Sequence, residues 1–270
     1  MDVLTLTDLD RFLACGLLRE PYVEMVQAGR HLSAGKFTTS RMVGAATSVP
    51  HADAGKISQQ LASGATLLLR NVEHWHAPAA DLVSRLGSEL GRRVEAFFFL
   101  SPPEHQGLSV HRDDADVFVI QVQGRKDWTV HGTPTDGWWQ PQPEKDPGAT
   151  VLRTTLEPGD ILYLPRAAAH SAVGTGDDLS AHLSLTVREI GTAHLYEAML
   201  QLLEAELELP PRPLDDTGLE HVAHQLLTHH RARLRDLSPA DLLSAARSAT
   251  CLPPAHPSRL ADSQSRSAAS

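Results

Sequence analysis

The sequence predicts a mainly β core, a sandwich or barrel, flanked by helices, and three observations carry that expectation. Between about residues 94 and 188, short apolar runs alternate with Gly, Pro and Asp; on either side the apolar residues recur at helical spacing; and no run is long enough to cross a membrane. The expected organisation is a helical and irregular region at 1–60 packing on the core, the core itself at 61–190, a helical region at 191–252 and a disordered tail rich in Ser, Ala and Pro at 253–270.

Each element has a local reason. Residues 7–10 (Thr-Asp-Leu-Asp) can cap a helix that runs through Phe12 and Leu13 and stops at Gly16, and 53–62 makes a second helix beginning at Asp53. The apolar run 65–69 lies between Gly64 and Asn71, as a short buried strand would, and a helix follows from Pro78 with Leu82, Leu86 and Leu90 on one stripe. Strands are expected at 94–100, 110–113, 117–122, 126–130, 161–164 and 182–187. Beyond them, Leu195, Met199, Leu202 and Leu203 give one helical stripe and 219–227 a second, while Ser238-Pro239 caps a third helix through Leu242 and Leu243.

Composition narrows the function classes. With 270 residues, 41% hydrophobic and 21% charged, the chain can bury one large core and a smaller appendage. A net charge of −9 disfavours direct nucleic-acid binding and suits basic ligands. Met1-Asp2-Val3-Leu4-Thr5 lacks a basic leader, so neither export nor membrane association is expected. Cys15 and Cys251 lie at opposite ends and offer neither a disulfide framework nor a Cys-x-x-Cys site, which fits a cytoplasmic location.

The chemistry concentrates at His111-Arg112-Asp113. On a strand His111 and Asp113 point the same way, about 7 Å apart, and can grip one ion. A distant His170 would complete two histidines and a carboxylate on one face of an octahedral metal, an arrangement that leaves positions open on non-haem Fe(II). Such a triplet is weak by itself in a chain with 15 histidines and 33 acidic residues. Its context strengthens it, because 157–166 is a Pro-Gly-Asp turn, an aliphatic strand and a terminating proline, with His170 just beyond. Along 118–130 the even positions Phe118, Ile120, Val122, Trp128 and Val130 form one apolar face, and a three-residue hairpin turn at 123–125 would keep Lys126 on it. An inward lysine is costly without an anion, so Lys126 is either a cation awaiting a carboxylate or a side chain that snorkels outward.

Other candidates carry less. His74-Trp75-His76 is expected to pack as a loop, Trp138-Trp139 to line a groove or form a satellite cluster, His229-His230 to face solvent, and His182 to be either a partner of the metal ligands or a core residue.

Together these stretches resemble the JmjC-type cupin oxygenases, particularly the branch of ribosomal oxygenases that hydroxylate histidyl or arginyl side chains. The resemblance rests on Gln106-Gly107 before His111-Arg112-Asp113, on 116–128, and on 159–166 with His170, and it covers about residues 60–190. It implies a double-stranded β-helix (jelly-roll) core, with His111, Asp113 and His170 as catalytic iron ligands. Lys126 would hold the distal carboxylate of 2-oxoglutarate, with Arg125 as the fallback. Where that family often carries an Asn and a Tyr near the cosubstrate, this chain has Phe97 and Phe99, so Ser101 or Ser184 is expected to supply the hydroxyl.

The resemblance thus implies an Fe(II)- and 2-oxoglutarate-dependent oxygenase, using O2, that hydroxylates an amino-acid side chain in a protein, a peptide, or a free or carrier-bound amino acid. The rivals are a cupin isomerase or a dioxygenase without 2-oxoglutarate, and a non-catalytic binding cupin; an inward Lys126 and an intact triad argue against them. The C-terminal part is shorter than the helical dimerisation segment and winged helix of ribosomal oxygenases. That leaves the substrate open, with a homodimer through the C-terminal helices as one option.

Overall fold

The computed structural model describes residues 3–44, 47–135 and 137–250; Cys251 and the tail expected at 253–270 lie outside these. The described residues divide into two compact units, one formed by those up to Leu90 together with those of Val94–Glu189, the other by Gly91–Arg93 and those from Ile190 to Thr250.

In the first unit, helices α1 (Leu6–Cys15), α2 (Ala54–Ala62) and α3 (Ala77–Leu90) accompany strands β1 (Val23–Gln27), β2 (Arg30–His31), β3 (Thr38–Val43), β4 (Thr47–Ala52), β5 (Thr66–Leu69) and β6 (Val94–Ser101). Then come β7 (Ala115–Gln123), β8 (Arg125–His131), β9 (Thr150–Leu156), β10 (Ile161–Leu164), β11 (His170–Thr175) and β12 (Ser180–Arg188). Seven strands pair in the order β10-β7-β12-β6-β5-β1-β2 and three in the order β11-β8-β9, with every pairing antiparallel. The two sheets form the jelly-roll core of a mainly β fold.

Alternation assigns the two faces of the large sheet. Leu67, Leu69, Phe98, Leu100, Leu183 and Leu185 point outward into a core shared with Leu9 and Leu13 of α1 and Ile57 of α2. Val117, Val119, Leu162 and Leu164 point inward, against Trp128 and Val130 of the small sheet. Phe98 is fully buried, and such a side chain stabilises the fold by about 1.5–3 kcal/mol relative to exposure.

Four local expectations need correcting. Thr5, not Thr7, caps α1: its hydroxyl accepts from the Asp8 N–H while the Asp8 carboxylate accepts from the Thr5 N–H, a reciprocal capping box. Residues 1–60 also contain β1 to β4: Val23, Met25 and Val26 find buried positions when β1 pairs with β5, while β3 and β4 pair with each other in a separate two-stranded sheet. Residues 110–113 form only isolated bridges through His111, to Pro143 and His170. Finally, 123–125 is not a hairpin turn, since β7 belongs to the large sheet and β8 to the small one. Gly124, at φ +61°, carries the chain between sheets where a Cβ would strike the Leu179 carbonyl, and the inward parity changes from odd in β7 to even in β8.

In the second unit α4 (Thr192–Glu204) packs against both α5 (Asp216–Asp236) and α6 (Pro239–Thr250). His229 and His230 are half-buried rather than solvent-facing: His229 Nε2 lies 3.0 Å from the Leu203 carbonyl, which draws this face of α5 toward α4.

Candidate active site

A cavity of about 240 Å³ lies between the sheets, lined by inward side chains of β5, β6, β7, β8 and β12 and by His111, Asp113 and His170. His111 Nε2 sits 3.8 Å from Asp113 Oδ1 and His170 Nε2 sits 3.6 Å from Asp113 Oδ2. One ligand atom from each of the three falls within 4.8 Å of the others. The arrangement needs no regular strand at 110–113, since the backbones of His111 and His170 exchange both hydrogen bonds, at 3.2 and 2.9 Å.

The imidazoles are oriented through their Nδ1 atoms. His111 Nδ1 lies 2.8 Å from the Ser109 carbonyl and His170 Nδ1 lies 3.0 Å from the Ala168 carbonyl, so each Nδ1–H donates to a carbonyl and each Nε2 is turned toward Asp113. Burial, reinforced by the neighbouring His111, lowers the His170 pKa and keeps it uncharged. Two imidazoles and a carboxylate suit a divalent transition metal.

Lys126 is buried and faces the same cavity. Its Nζ donates to Ser101 Oγ at 2.9 Å and to His182 Nδ1 at 3.2 Å, and Ser101 also accepts from Thr66 Oγ1 at 3.0 Å. No carboxylate bonds to it among the described residues, and burial pushes its pKa down to about 7. His182 is held well below the usual histidine range, first by burial and then by Lys126, so it accepts at Nδ1 as a neutral ring. Its ring stacks on Phe99 at 4.7 Å and meets Trp128 edge-on at 5.4 Å.

The structure brings His111, Asp113 and His170 together and puts Lys126, Ser101 and Ser184 on the wall of the same cavity; of the two serines, Ser101 bonds the lysine. Phe97 and Phe99 line it as well, whereas Arg125 is exposed, opposite Thr175 in the small sheet. Sequence reasoning missed Trp128 as a lining residue, although its even parity with Lys126 is the available signal. It also missed a charged row lining the cavity: Arg70, bidentate to Glu24 at 2.6 and 3.2 Å and lying 5.7 Å over the Phe97 ring, and Arg188, bonded to Glu95 at 2.8 Å and Asp114 at 2.9 Å. No periodicity announces those pairs. Elsewhere, Trp75 and His76 pack edge-on to Phe12, and exposed Trp138 lies with Trp139 in a surface depression beside Arg112 and Glu144.

Comparison with known proteins agrees with this geometry. Residues 73–195 match the JmjC domain family. Human ribosomal oxygenase 1 is 31% identical over 73% of this chain and 33% of its own length. The mosquito Culex quinquefasciatus protein described as a bifunctional lysine-specific demethylase and histidyl-hydroxylase NO66 is 34% identical over 42% of this chain and 19% of its own length. Among solved structures, Escherichia coli ycfD superposes with a TM-score of 0.57 at 22% identity, covering 90% of this chain and 62% of that one. The same E. coli ribosomal oxygenase in complex with cobalt and 2-oxoglutarate gives a TM-score of 0.52 at 22% identity, over 84% and 59% of the two chains. Residues 73–195 thus match a JmjC domain, and the chain is similar to the ribosomal oxygenases. It spans about a third of the length of the ribosomal oxygenase 1 relatives it matches.

Proposed function

We propose that this chain is an Fe(II)- and 2-oxoglutarate-dependent oxygenase that hydroxylates an amino-acid side chain in a peptide or protein. The single observation that carries the reading is one cavity holding both a converging pair of imidazoles with a carboxylate and a buried lysine that no carboxylate of the described residues meets. His111, Asp113 and His170 would hold the metal. Lys126, oriented by Ser101 and His182, would take the distal carboxylate of 2-oxoglutarate, with Ser184 on the same wall. When bound, the metal supplies the redox chemistry that couples 2-oxoglutarate decarboxylation to hydroxylation.

The protein's own contribution is to fix ligand geometry, neutralise and align the cosubstrate, and exclude water behind Phe97, Phe99, Val117, Val119 and Leu164. A cupin isomerase has no use for the buried Lys126, which is costly to bury unless a ligand anion meets it. Protein residues are the proposed substrate because the relatives are named as ribosomal oxygenases and a histidyl-hydroxylase. Cytoplasmic location and a homodimer through α4 to α6 complete the proposal, and light scattering of the purified chain tests the latter.

The deciding experiment incubates the Fe(II)-loaded protein with 2-oxoglutarate and a peptide library drawn from ribosomal proteins. A +16 Da product formed with stoichiometric succinate is expected. Coupled turnover only on a non-peptidic metabolite, or formaldehyde release from a methylated peptide, would overturn the substrate and reaction assigned.

A further inference from the structure

Arg112 stands between two residues of the metal-binding triad that line the cavity, and is not itself among the residues lining it. Only 7% of it is exposed. Its guanidinium is nearly saturated: Nε donates to Glu144 Oε2 at 2.7 Å, Nη1 to the carbonyls of Gly132 at 2.9 Å and Ala167 at 2.6 Å, and Nη2 reaches the Pro147 carbonyl at 3.5 Å.

The partners belong to the segments that hold the triad. Ala167 lies three residues before His170, its N–H donates to the Asp113 carbonyl at 3.0 Å, and its φ of +67° is a conformation that residues other than glycine rarely adopt. Glu144 belongs to the β8–β9 loop, whose backbone meets the triplet through Arg112 N–H to the Gln142 carbonyl at 3.3 Å and Glu144 N–H to the Val110 carbonyl at 2.8 Å. The other Glu144 oxygen accepts from the Asp146 N–H at 3.2 Å, so the carboxylate is itself oriented. The side chain therefore ties three separate stretches, 110–113, 132–147 and 167–170, to one planar group.

We propose that Arg112 is a positioning residue of the metal centre: through Ala167, Gly132, Pro147 and Glu144 it locks the stretches bearing His111, Asp113 and His170 at the spacing one ion requires. The inference rests on the metal-centre reading above. Deleting the guanidinium leaves three carbonyls short of a donor and the Glu144 carboxylate without its cation, and it frees the strained turn before His170 to relax. The ligands remain chemically intact while their mutual geometry loosens.

Co(II) titration of the full chain tests this, because the affinity and the visible absorption bands of bound Co(II) both report ligand geometry without turnover. Arg112→Met keeps the aliphatic stem and should weaken Co(II) roughly 10- to 100-fold, the range typical for loss of a partner that orients metal ligands. The Co(II) bands should change shape while the far-ultraviolet circular dichroism of the metal-free protein stays as in the wild type. Arg112→Lys should recover part of the affinity, since an ammonium can reach some of the same carbonyls. Glu144→Gln, which loosens only the β8–β9 arm, should show a smaller loss in the same direction. If Arg112→Met does not fold, Glu144→Gln carries the test. Wild-type affinity and bands in Arg112→Met, or in Glu144→Gln where it alone folds, would overturn the inference. A wild-type chain that takes up no Co(II) would instead overturn the metal-centre reading and this inference with it.

Discussion

Two buried cations in this unit are treated in opposite ways. Arg112, behind the triad, has four bonds to protein acceptors, one of them a carboxylate that its guanidinium holds below the usual acidic range. Lys126, on the inner face of β8, meets among the described residues only a hydroxyl and a neutral imidazole, and burial pushes it down to about 7. A buried charge that is fully bonded braces the structure, whereas one left without a counter-ion stores a cost that an anionic ligand can relieve. The contrast separates what positions the site from what receives a ligand.

The largest effect expected is on the metal itself. His111→Ala or Asp113→Ala should abolish stoichiometric Fe(II), Mn(II) or Co(II) binding, a heavier loss than any change in the Arg112 brace, and elemental analysis after desalting checks it. Undiminished binding in both variants would mean that the ion sits elsewhere and that Arg112 braces nothing catalytic.

Next in size is the receptor side. Lys126→Ala should weaken 2-oxoglutarate by about 30- to 1000-fold, equivalent to about 2–4 kcal/mol for one partner of a buried pair, with metal affinity nearly unchanged. Arg125→Ala should leave both affinities as they are, because that side chain is exposed. Calorimetric titration of the metal-loaded variants decides, and a loss in Arg125→Ala alone would reverse the assignment.

A pH series sharpens the same contrast. With the Lys126 pKa lowered to about 7 by burial, binding a carboxylate above that pH requires proton uptake. Affinity for 2-oxoglutarate should therefore fall with rising pH, by up to about tenfold per unit. The stability of the ligand-free protein should move the other way. Its unfolded lysine titrates near 10.4, so between about pH 7 and 10 the unfolded state binds more protons and stability from this group rises. Lys126→Met should flatten both slopes, and flat wild-type profiles would refute the charge assignment.

How far the sequence reveals this site depends on the kind of signal. The triplet and His170 are visible because their chemistry is local and their spacing distinctive. Lys126 was expected to face inward on the ground of a hairpin that does not exist; both faces of β7 are apolar, Val117 and Val119 inside and Phe118, Ile120 and Val122 against the outer core, so hydrophobic parity could not choose between them. Strand β1 was missed since only the tertiary pairing with β5 gives 23–27 its strand environment. The bonding of Arg112 is not legible in the sequence, because its acceptors are backbone carbonyls and one glutamate far along the chain, which no pattern encodes.

The smallest effect distinguishes the two serines. Ser101 accepts from Lys126 at 2.9 Å and from Thr66 at 3.0 Å, so it orients the ammonium and shares the cost of burying it. Ser184 sits on the same wall, opposite Phe97 in β6 and Val119 in β7, without a bond to the lysine. Removing one hydrogen bond to a charged group costs about 1.5–3 kcal/mol when nothing replaces it, but the incoming carboxylate itself takes over part of that role. Ser101→Ala should consequently weaken 2-oxoglutarate by about fivefold, or about 1 kcal/mol, and lower the Lys126 pKa further, moving the fall in affinity to lower pH. Ser184→Ala should stay within about twofold, as expected for a wall residue with no tie to the ammonium. If Ser184→Ala has the greater effect, the cosubstrate hydrogen-bonds nearer the middle of β12 than the lysine end, and Lys126 then gains its anion from another part of the ligand.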